Sequence, residues 1–399
     1  MIDCDFLVIG GGVMGVSVAR ELKNRSGGAR VVLIEKEDDC GLHASGRNSG
    51  VLHAGFYYSA DSLKARFSRQ GNVLLTEYCE SKGLKINKCG KLVAARDESE
   101  WPFLDELLKR GKANGVPLHD ITEAEAKRIE PRVKTRGRAL LSPTTSSVDP
   151  REVMQAMKTD AVREGVGVRV GVRYLQRAED GVSTSAGKIR AGYVVNVAGL
   201  YADKIGKDFG FSKDYRILPF KGLYLYSEEP PGALRAHIYP VPDLRNPFLG
   251  VHFTLTPDGR SKIGPTAIPA FWREQYSALD NFDLGEFAEI VARQLGLFAF
   301  SNFDFKRLAF EEIGKYSRSK LVSLASALIE GVRLENYKKW GKPGIRAQLL
   351  NIKERKLEMD FVLEGDGASM HVLNAVSPAF TCAIPFARHI CDEIARLRK

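Results

Sequence analysis

A chain of 399 residues with 44% hydrophobic and 27% charged side chains is long enough for two cored domains and has the makeup of a globular protein. No apolar run approaches the roughly 18 residues that span a bilayer, which argues against an integral membrane protein. The net charge of +10 is spread along the chain rather than gathered in one arm, so nucleic acid is not an expected partner, and an anionic membrane face, an acidic substrate or simply a solvated basic surface would each account for it.

The first strand, Ile2 to Ile9, leaves no room for a targeting segment, and a cytoplasmic protein is expected. A glycine turn, an amphipathic helix (Val13 to Lys23) and a second strand (Arg30 to Glu35) complete a βαβ opening and imply a parallel sheet. After a loop rich in Gly, Ser and His come a helix from Leu63 to Lys82, a short strand from Lys91 to Arg96 and a polar helical stretch from Glu98 to Gly115. Thr122 with Glu125, and Asp149 followed by Pro150 and Glu152, mark two further helix starts. Val166 to Leu175 and Tyr193 to Val197 read as strands, the second returning to the buried sheet. Hairpin-like strands follow between Ile217 and Gly264, including Gly222 to Ser227 and Phe248 to Thr254. Residues 284 to 340 read as helices, and the chain closes with a strand (Met370 to Ala375), a Ser-Pro turn and a helix (Ala383 to Leu397). The six cysteines, Cys4, Cys40, Cys79, Cys89, Cys382 and Cys391, form no CxxC pair, so neither a disulfide framework nor a metal site is expected.

Gly10-Gly11-Gly12-Val13-Met14-Gly15 fits GxGxxG between a strand and a helix, the context in which glycines let a pyrophosphate reach a helix N-terminus. Glu35 ends the second strand twenty residues beyond Gly15, where a carboxylate accepts hydrogen bonds from a ribose. These features alone fit FAD or NAD. The loop His43 to Tyr58 (HASGRNSGVLHAGFYY) is too rich in small residues for a helix and too long for a simple turn. Its Ser45, Gly46, Asn48, Ser49 and Gly50 offer the donors that a pyrophosphate and a flavin edge require.

Taken together, the glycine motif, Glu35 and this loop resemble the FAD-binding front of the D-amino-acid oxidase superfamily. SGRNSGVLHAGFYY resembles, within it, the L-2-hydroxyglutarate dehydrogenase/oxidase family. VVNVAGLYAD (Val194 to Asp203), IYPVPDLRNPFLGVHFT (Ile238 to Thr254), IGPTA (Ile263 to Ala267), GIRAQ (Gly344 to Gln348) and HVLNAVSPAFT (His371 to Thr381) extend the resemblance over nearly the whole chain. It implies an α/β protein: a Rossmann-like FAD-binding domain with a parallel sheet, formed by 1–85, 145–215 and 343–399, plus an α+β, antiparallel-sheet substrate domain formed by 86–144 and 216–342. FAD contacts are implied at Gly10, Gly12, Val13, Met14, Gly15, Glu35, Lys36, Ser45, Gly46, Arg47, Asn48, Ser49, Gly50, Val172, Ala198, Gly199, Pro378, Ala379, Phe380 and Thr381. The chain departs from the family pattern at Lys221 (commonly Arg), Leu223 (commonly acidic) and the bulky Phe380.

The activity so implied is oxidation of a small anionic 2-hydroxy acid, foremost L-2-hydroxyglutarate to 2-oxoglutarate, by hydride transfer from C2 to flavin N5. Such a reaction needs a base for the hydroxyl proton and cations for the carboxylates. His53, in the flavin loop, is the candidate base, since imidazole titrates near operating pH, and His252 is a second candidate for proton transfer or substrate contact. Arg346 offers a bidentate fork, Lys221 a point charge and Tyr57 a further substrate contact. Reoxidation by quinone or oxygen is expected. The phenylalanines interleaved with Lys306 and Arg307 between Leu295 and Phe310 suggest peripheral membrane contact. An amino-acid oxidase or glycerol-3-phosphate dehydrogenase would keep the same FAD residues, whereas an NAD-dependent dehydrogenase leaves the long loop unexplained. An FAD-containing RNA-modifying protein would explain the charge but lacks an RNA-binding motif.

Overall fold

The computed structural model describes residues 2–242, 250–301 and 305–399, and the chain divides into two compact units. Unit one comprises Met1–Asn48, Pro150–Pro219 and Arg346–Lys399, and unit two Ser49–Asp149 and Phe220–Ile345.

The core of unit one is the run FLVI of the strand Ile2–Ile9, buried on both faces as a parallel strand should be. It pairs in parallel with Val31–Ile34 on one side and with Gly187–Asn196 on the other. The ten-residue strand Gly187–Asn196 has two further partners along its length: Gly181–Thr184 antiparallel to its first half and Ser369–Val372 parallel to its second. The helix Val13–Arg25 crosses between the first two strands, and Pro150–Arg163 and Ala379–Leu397 pack against it. Leu7, Ile9, Val32, Ile34, Val182, Ile189 and Val194 close the core beneath the sheet.

Three boundaries differ from the sequence reading. Unit one ends at Asn48 rather than near 85, because the strand Val51–Leu52 pairs with Ser146–Val148, itself paired with Ile86–Asn87 in unit two. Val166 to Leu175 splits into the strands Gly167–Arg169 and Tyr174–Ala178, interrupted where Gly171 adopts φ +70°. The final helix begins at Ala379, directly after Pro378, so Ala379, Phe380 and Thr381 form its first turn instead of a separate loop. Pro378 closes the preceding segment and the helix starts as soon as φ-restricted proline is passed.

Unit two is built on a sheet that, among the described residues, has eight strands in the order Lys339–Trp340, Leu225–Tyr226, Ser261–Gly264, His252–Leu255, His237–Pro240, Lys91–Ala94, Arg138–Ser142 and His119–Thr122. Neighbours run antiparallel except His237–Pro240 and Lys91–Ala94, which are parallel. Side chains alternate between faces along each strand. Register therefore collects Leu92, Ala94, Leu225, Ile238, Phe253, Leu255 and Ile263 on one face, where they join Leu321, Val322 and Ala325 of the helix Arg318–Ala325 in a single apolar core. The capping box read at Thr122 and Glu125 is present, with both reciprocal hydrogen bonds made.

Candidate active site

In unit one the glycine turn is sterically required. Gly10 has φ +114°, and a Cβ there would lie 2.7 Å from the Val197 carbonyl oxygen. A Cβ on Gly15 would lie 1.8 Å from the Gly10 carbonyl oxygen, so helix and turn meet backbone to backbone. Gly12 precedes the helix without a side chain, leaving its N-terminus open. Ser45 Oγ accepts from Val13 N–H at 2.8 Å, which brings a hydroxyl donor to that same N-terminus. The Glu35 carboxylate folds back to accept from Gly11 N–H at 2.6 Å and Glu37 N–H at 2.9 Å, keeping lone pairs for a ribose. Val172 N–H donates to the Glu35 carbonyl at 2.8 Å, and Lys36 pairs with Glu37.

Ala44–Gly46 forms one short 3-10 turn, and around it Arg47 Nε donates to Leu42 O and Asn48 Nδ2 to Ser45 O. Ala198 and Gly199 follow the strand Gly187–Asn196 at the sheet's carboxyl edge, where ligands of parallel sheets bind. The helix Ala379–Leu397 begins there too, with Ala379 N–H donating to the Val376 carbonyl at 3.0 Å and Cys382 N–H to the Pro378 carbonyl at 3.1 Å. A turn that only glycine can make, an open helix N-terminus, a hydroxyl beside it and a carboxylate at the next strand end are what an FAD pyrophosphate and ribose require. Ser49 and Gly50 belong to unit two.

The second group of candidates lies on the other face of the unit-two sheet. Register places Lys91, His237, Thr254, Lys262 and Tyr226 in one row across five strands, and Val93, Tyr239, His252, Gly264 and Tyr224 in the next. Lys91, His237, His252, Thr254 and Lys262 are all buried. His252 stacks on Tyr239 with ring centroids 3.7 Å apart, and its Nδ1 lies 3.0 Å from the Gly250 carbonyl. A carbonyl only accepts, so the proton sits on Nδ1 and Nε2 carries the lone pair. His237 has the opposite tautomer: its Nδ1 accepts from Leu255 N–H at 3.0 Å, which puts the proton on Nε2.

Burial, aided by the charge of Lys91, pushes the imidazoles of His53 and His237 down to about 3, and burial holds His252 well below the usual histidine range. Burial likewise lowers Lys91 to about 7 and Lys262 to about 8. Lys262 Nζ donates to the Ser49 carbonyl at 3.1 Å and lies 4.6 Å from the Tyr224 ring centroid. Tyr57 is buried against Phe56 and Lys91, and its phenol is pushed well above its ordinary value, first by burial.

His53, His252 and Tyr57 are thus gathered with Lys91, His237, Tyr239 and Lys262, which the sequence reading had not singled out. Lys221 is not among them. It pairs with Ile268 on a different sheet, and its neighbours are Tyr316 and Asp280. Arg346 is half-buried on the strand Gly344–Asn351, at the start of the last segment of unit one. Part of the segment Ile238 to Thr254, and so the start of the strand read from Phe248, lies outside the described residues.

The model of the FAD dependent oxidoreductase family matches residues 5–355. This chain belongs to that family. It therefore takes FAD as its cofactor and is an oxidoreductase. It is 36% identical to L-2-hydroxyglutarate dehydrogenase, mitochondrial, of Homo sapiens, an alignment covering 98% of this chain and 88% of that protein. It is 32% identical to L-2-hydroxyglutarate dehydrogenase of Escherichia coli strain K12, over 98% of this chain and 93% of that protein. Among solved structures, L-alpha-glycerophosphate oxidase from Mycoplasma pneumoniae with FAD bound superposes with a TM-score of 0.79 at 21% identity, covering 100% of this chain and 95% of that one. Glycine oxidase from Geobacillus kaustophilus gives 0.72 at 19%, covering 100% and 96%. At such identities the likeness is one of fold.

Proposed function

We propose that this protein oxidises L-2-hydroxyglutarate to 2-oxoglutarate. The observation that carries this reading is the 36% identity to the human L-2-hydroxyglutarate dehydrogenase along 98% of the chain. FAD, when bound, supplies the hydride acceptor. The chain's own task is to take the hydroxyl proton and to hold a dianion. His252 suits the first, because its tautomer presents a bare Nε2 within a group that excludes water, and His53 acts beside it as the second proton acceptor. Arg346 and Lys221 are the proposed carboxylate partners, and Tyr57 lines the approach. Burial alone leaves the histidines weak bases. An incoming dianion raises their proton affinity toward the range in which a base works.

Electrons then pass to quinone or oxygen. An exposed apolar surface on the helices Leu284–Phe300 and Phe305–Gly314, with Leu295, Phe300 and Phe310 each more than 60% exposed, supports peripheral contact with a membrane. Residues 302–304 of the Leu295 to Phe310 segment lie outside the described residues.

The deciding experiment is anaerobic bleaching of the flavin band, with L-2-hydroxyglutarate beside D-2-hydroxyglutarate, L-lactate, glycerol 3-phosphate and glycine. Selective bleaching by L-2-hydroxyglutarate is expected. Bleaching by glycerol 3-phosphate or glycine instead would keep the fold and cofactor and replace the substrate.

A further inference from the structure

Lys91 is a lysine in an unusual place. It opens the strand Lys91–Ala94, directly in register with His237, and no part of it is exposed. Its Nζ makes no hydrogen bond among the described residues. It lies instead over three aromatic rings, 4.7 Å from the centroid of Phe56, 4.5 Å from Tyr57 and 4.6 Å from Tyr239. Ring faces attract a cation but are no substitute for a carboxylate, so its charge acts outward on its neighbours. Those neighbours come from every strand and loop around it. They are His53 and Tyr57 from the loop, His237 and Tyr239 beside it and His252 on the next strand, and these in turn face Tyr58, Cys89, Tyr224 and Lys262. Asp149 is the carboxylate of this group, and it acts on Lys262.

We propose that Lys91 is an electrostatic positioning residue: its ammonium, walled in by Phe56, Tyr57 and Tyr239, adds to burial in holding His53, His237 and His252 in their neutral form until an anionic substrate enters. It never touches the reacting atoms. It acts through the imidazoles, one of which, His252, is stacked on a ring that also caps the ammonium. The sign is fixed by Coulomb's law: a buried positive charge opposes a second positive charge beside it, and a dicarboxylate reverses the local field. The charge is present below about pH 7, where Lys91 itself is protonated, so it acts together with burial throughout the range in which an exposed histidine takes up a proton. The inference rests on the proposed function only for the identity of the anion.

The test is the pH profile of kcat/KM, measured by flavin reduction, for the wild-type holoenzyme, Lys91→Met and Lys91→Arg. The acid limb of Lys91→Met should move to higher pH by at least about half a unit, while Lys91→Arg stays with the wild type. A purely structural role would lower activity at every pH alike. Superposition of the Met and wild-type limbs overturns the proposal. A second readout needs neither variant nor substrate. The 15N signals of the three imidazoles in the wild-type protein should shift together near pH 7, as Lys91 loses its proton, and the absence of that step overturns the proposal equally. A protein whose flavin no 2-hydroxy acid reduces would refute the proposed substrate, and this titration would still test Lys91 independently.

Discussion

Two histidines on adjacent strands, His237 and His252, show how the backbone assigns different chemistry to the same side chain. An amide donor, Leu255 N–H, turns His237 into an Nε2–H donor, and an acceptor carbonyl, Gly250 O, leaves His252 with a bare Nε2. His252→Gln should therefore lower kcat/KM by roughly 10²- to 10⁴-fold, and His53→Gln by a comparable factor, with the FAD spectrum unchanged. Stopped-flow flavin reduction measures both. A His252→Gln enzyme within threefold of wild type would remove it from the proton-transfer step, by the ~10² minimum that general-base loss brings. That His53, Tyr57 and His252 were candidates at all came from imidazoles and a phenol in the flavin loop and in a strand of the second sheet, and they do lie together in one buried group. Lys91 was not a candidate, because a lysine opening the short strand KLVA looks like any edge residue. Its burial follows from parallel pairing with His237–Pro240, far away in sequence, which no local pattern encodes. The usable signal was weaker: KLVA, HIYP and HFTL carry a polar residue at the first position and SKIG a lysine at the second, the mark of strands with one face in a core and one in a site. The sheet that Lys221 joins was not legible for a related reason, since its partner Ile268 lies far along the chain and no local pattern encodes the pairing.

At the level of elements, the opening strand, turn and helix were the most legible part of the chain because their constraints are local. The glycine spacing, the apolar strand and the helix period all point to the same geometry. Helix starts marked by Thr122 and Pro150 were equally local and are found where the capping residues put them. Gly15→Ala tests the turn most directly. The added methyl has backbone, not a flexible side chain, in its way at 1.8 Å, so the helix Val13–Arg25 must move off the Gly10 turn and away from the position in which its N-terminus receives a phosphate. Displacement of this kind costs on the order of 1–3 kcal/mol, or about ten- to a hundredfold in FAD affinity. Protein purified with this change should be pale or colourless and should recover its spectrum only at raised FAD, as fluorescence titration would record. Retention of wild-type FAD stoichiometry would mean that the turn yields more easily than its backbone contacts imply.

For the whole molecule, the feature that composition announced and the active site does not absorb is the +10 charge. No described helix is long and apolar enough to cross a membrane. The helices Leu284–Phe300 and Phe305–Gly314 nonetheless touch through Phe298, Phe305 and Phe310 while exposing Leu295, Phe300, Phe310 and Ile313, with Lys306 and Arg307 exposed alongside. Apolar side chains that water covers gain by entering the acyl boundary of a bilayer, and the neighbouring cations gain from anionic headgroups. Both gains point to co-sedimentation with vesicles containing phosphatidylglycerol, weakening as salt rises because surface charges are screened. Each phenylalanine that inserts contributes roughly 1.5–3 kcal/mol, so Phe300→Ser or Phe310→Ser should weaken binding by about tenfold or more without altering flavin reduction. Binding that survives high salt and is lost in these variants would assign the attraction chiefly to the apolar face, and binding lost with salt yet indifferent to them would assign it to charge. A protein that stays in the supernatant even at low salt would remove the membrane from this reading, and with it the structural support for a lipid-soluble quinone over oxygen as the electron acceptor.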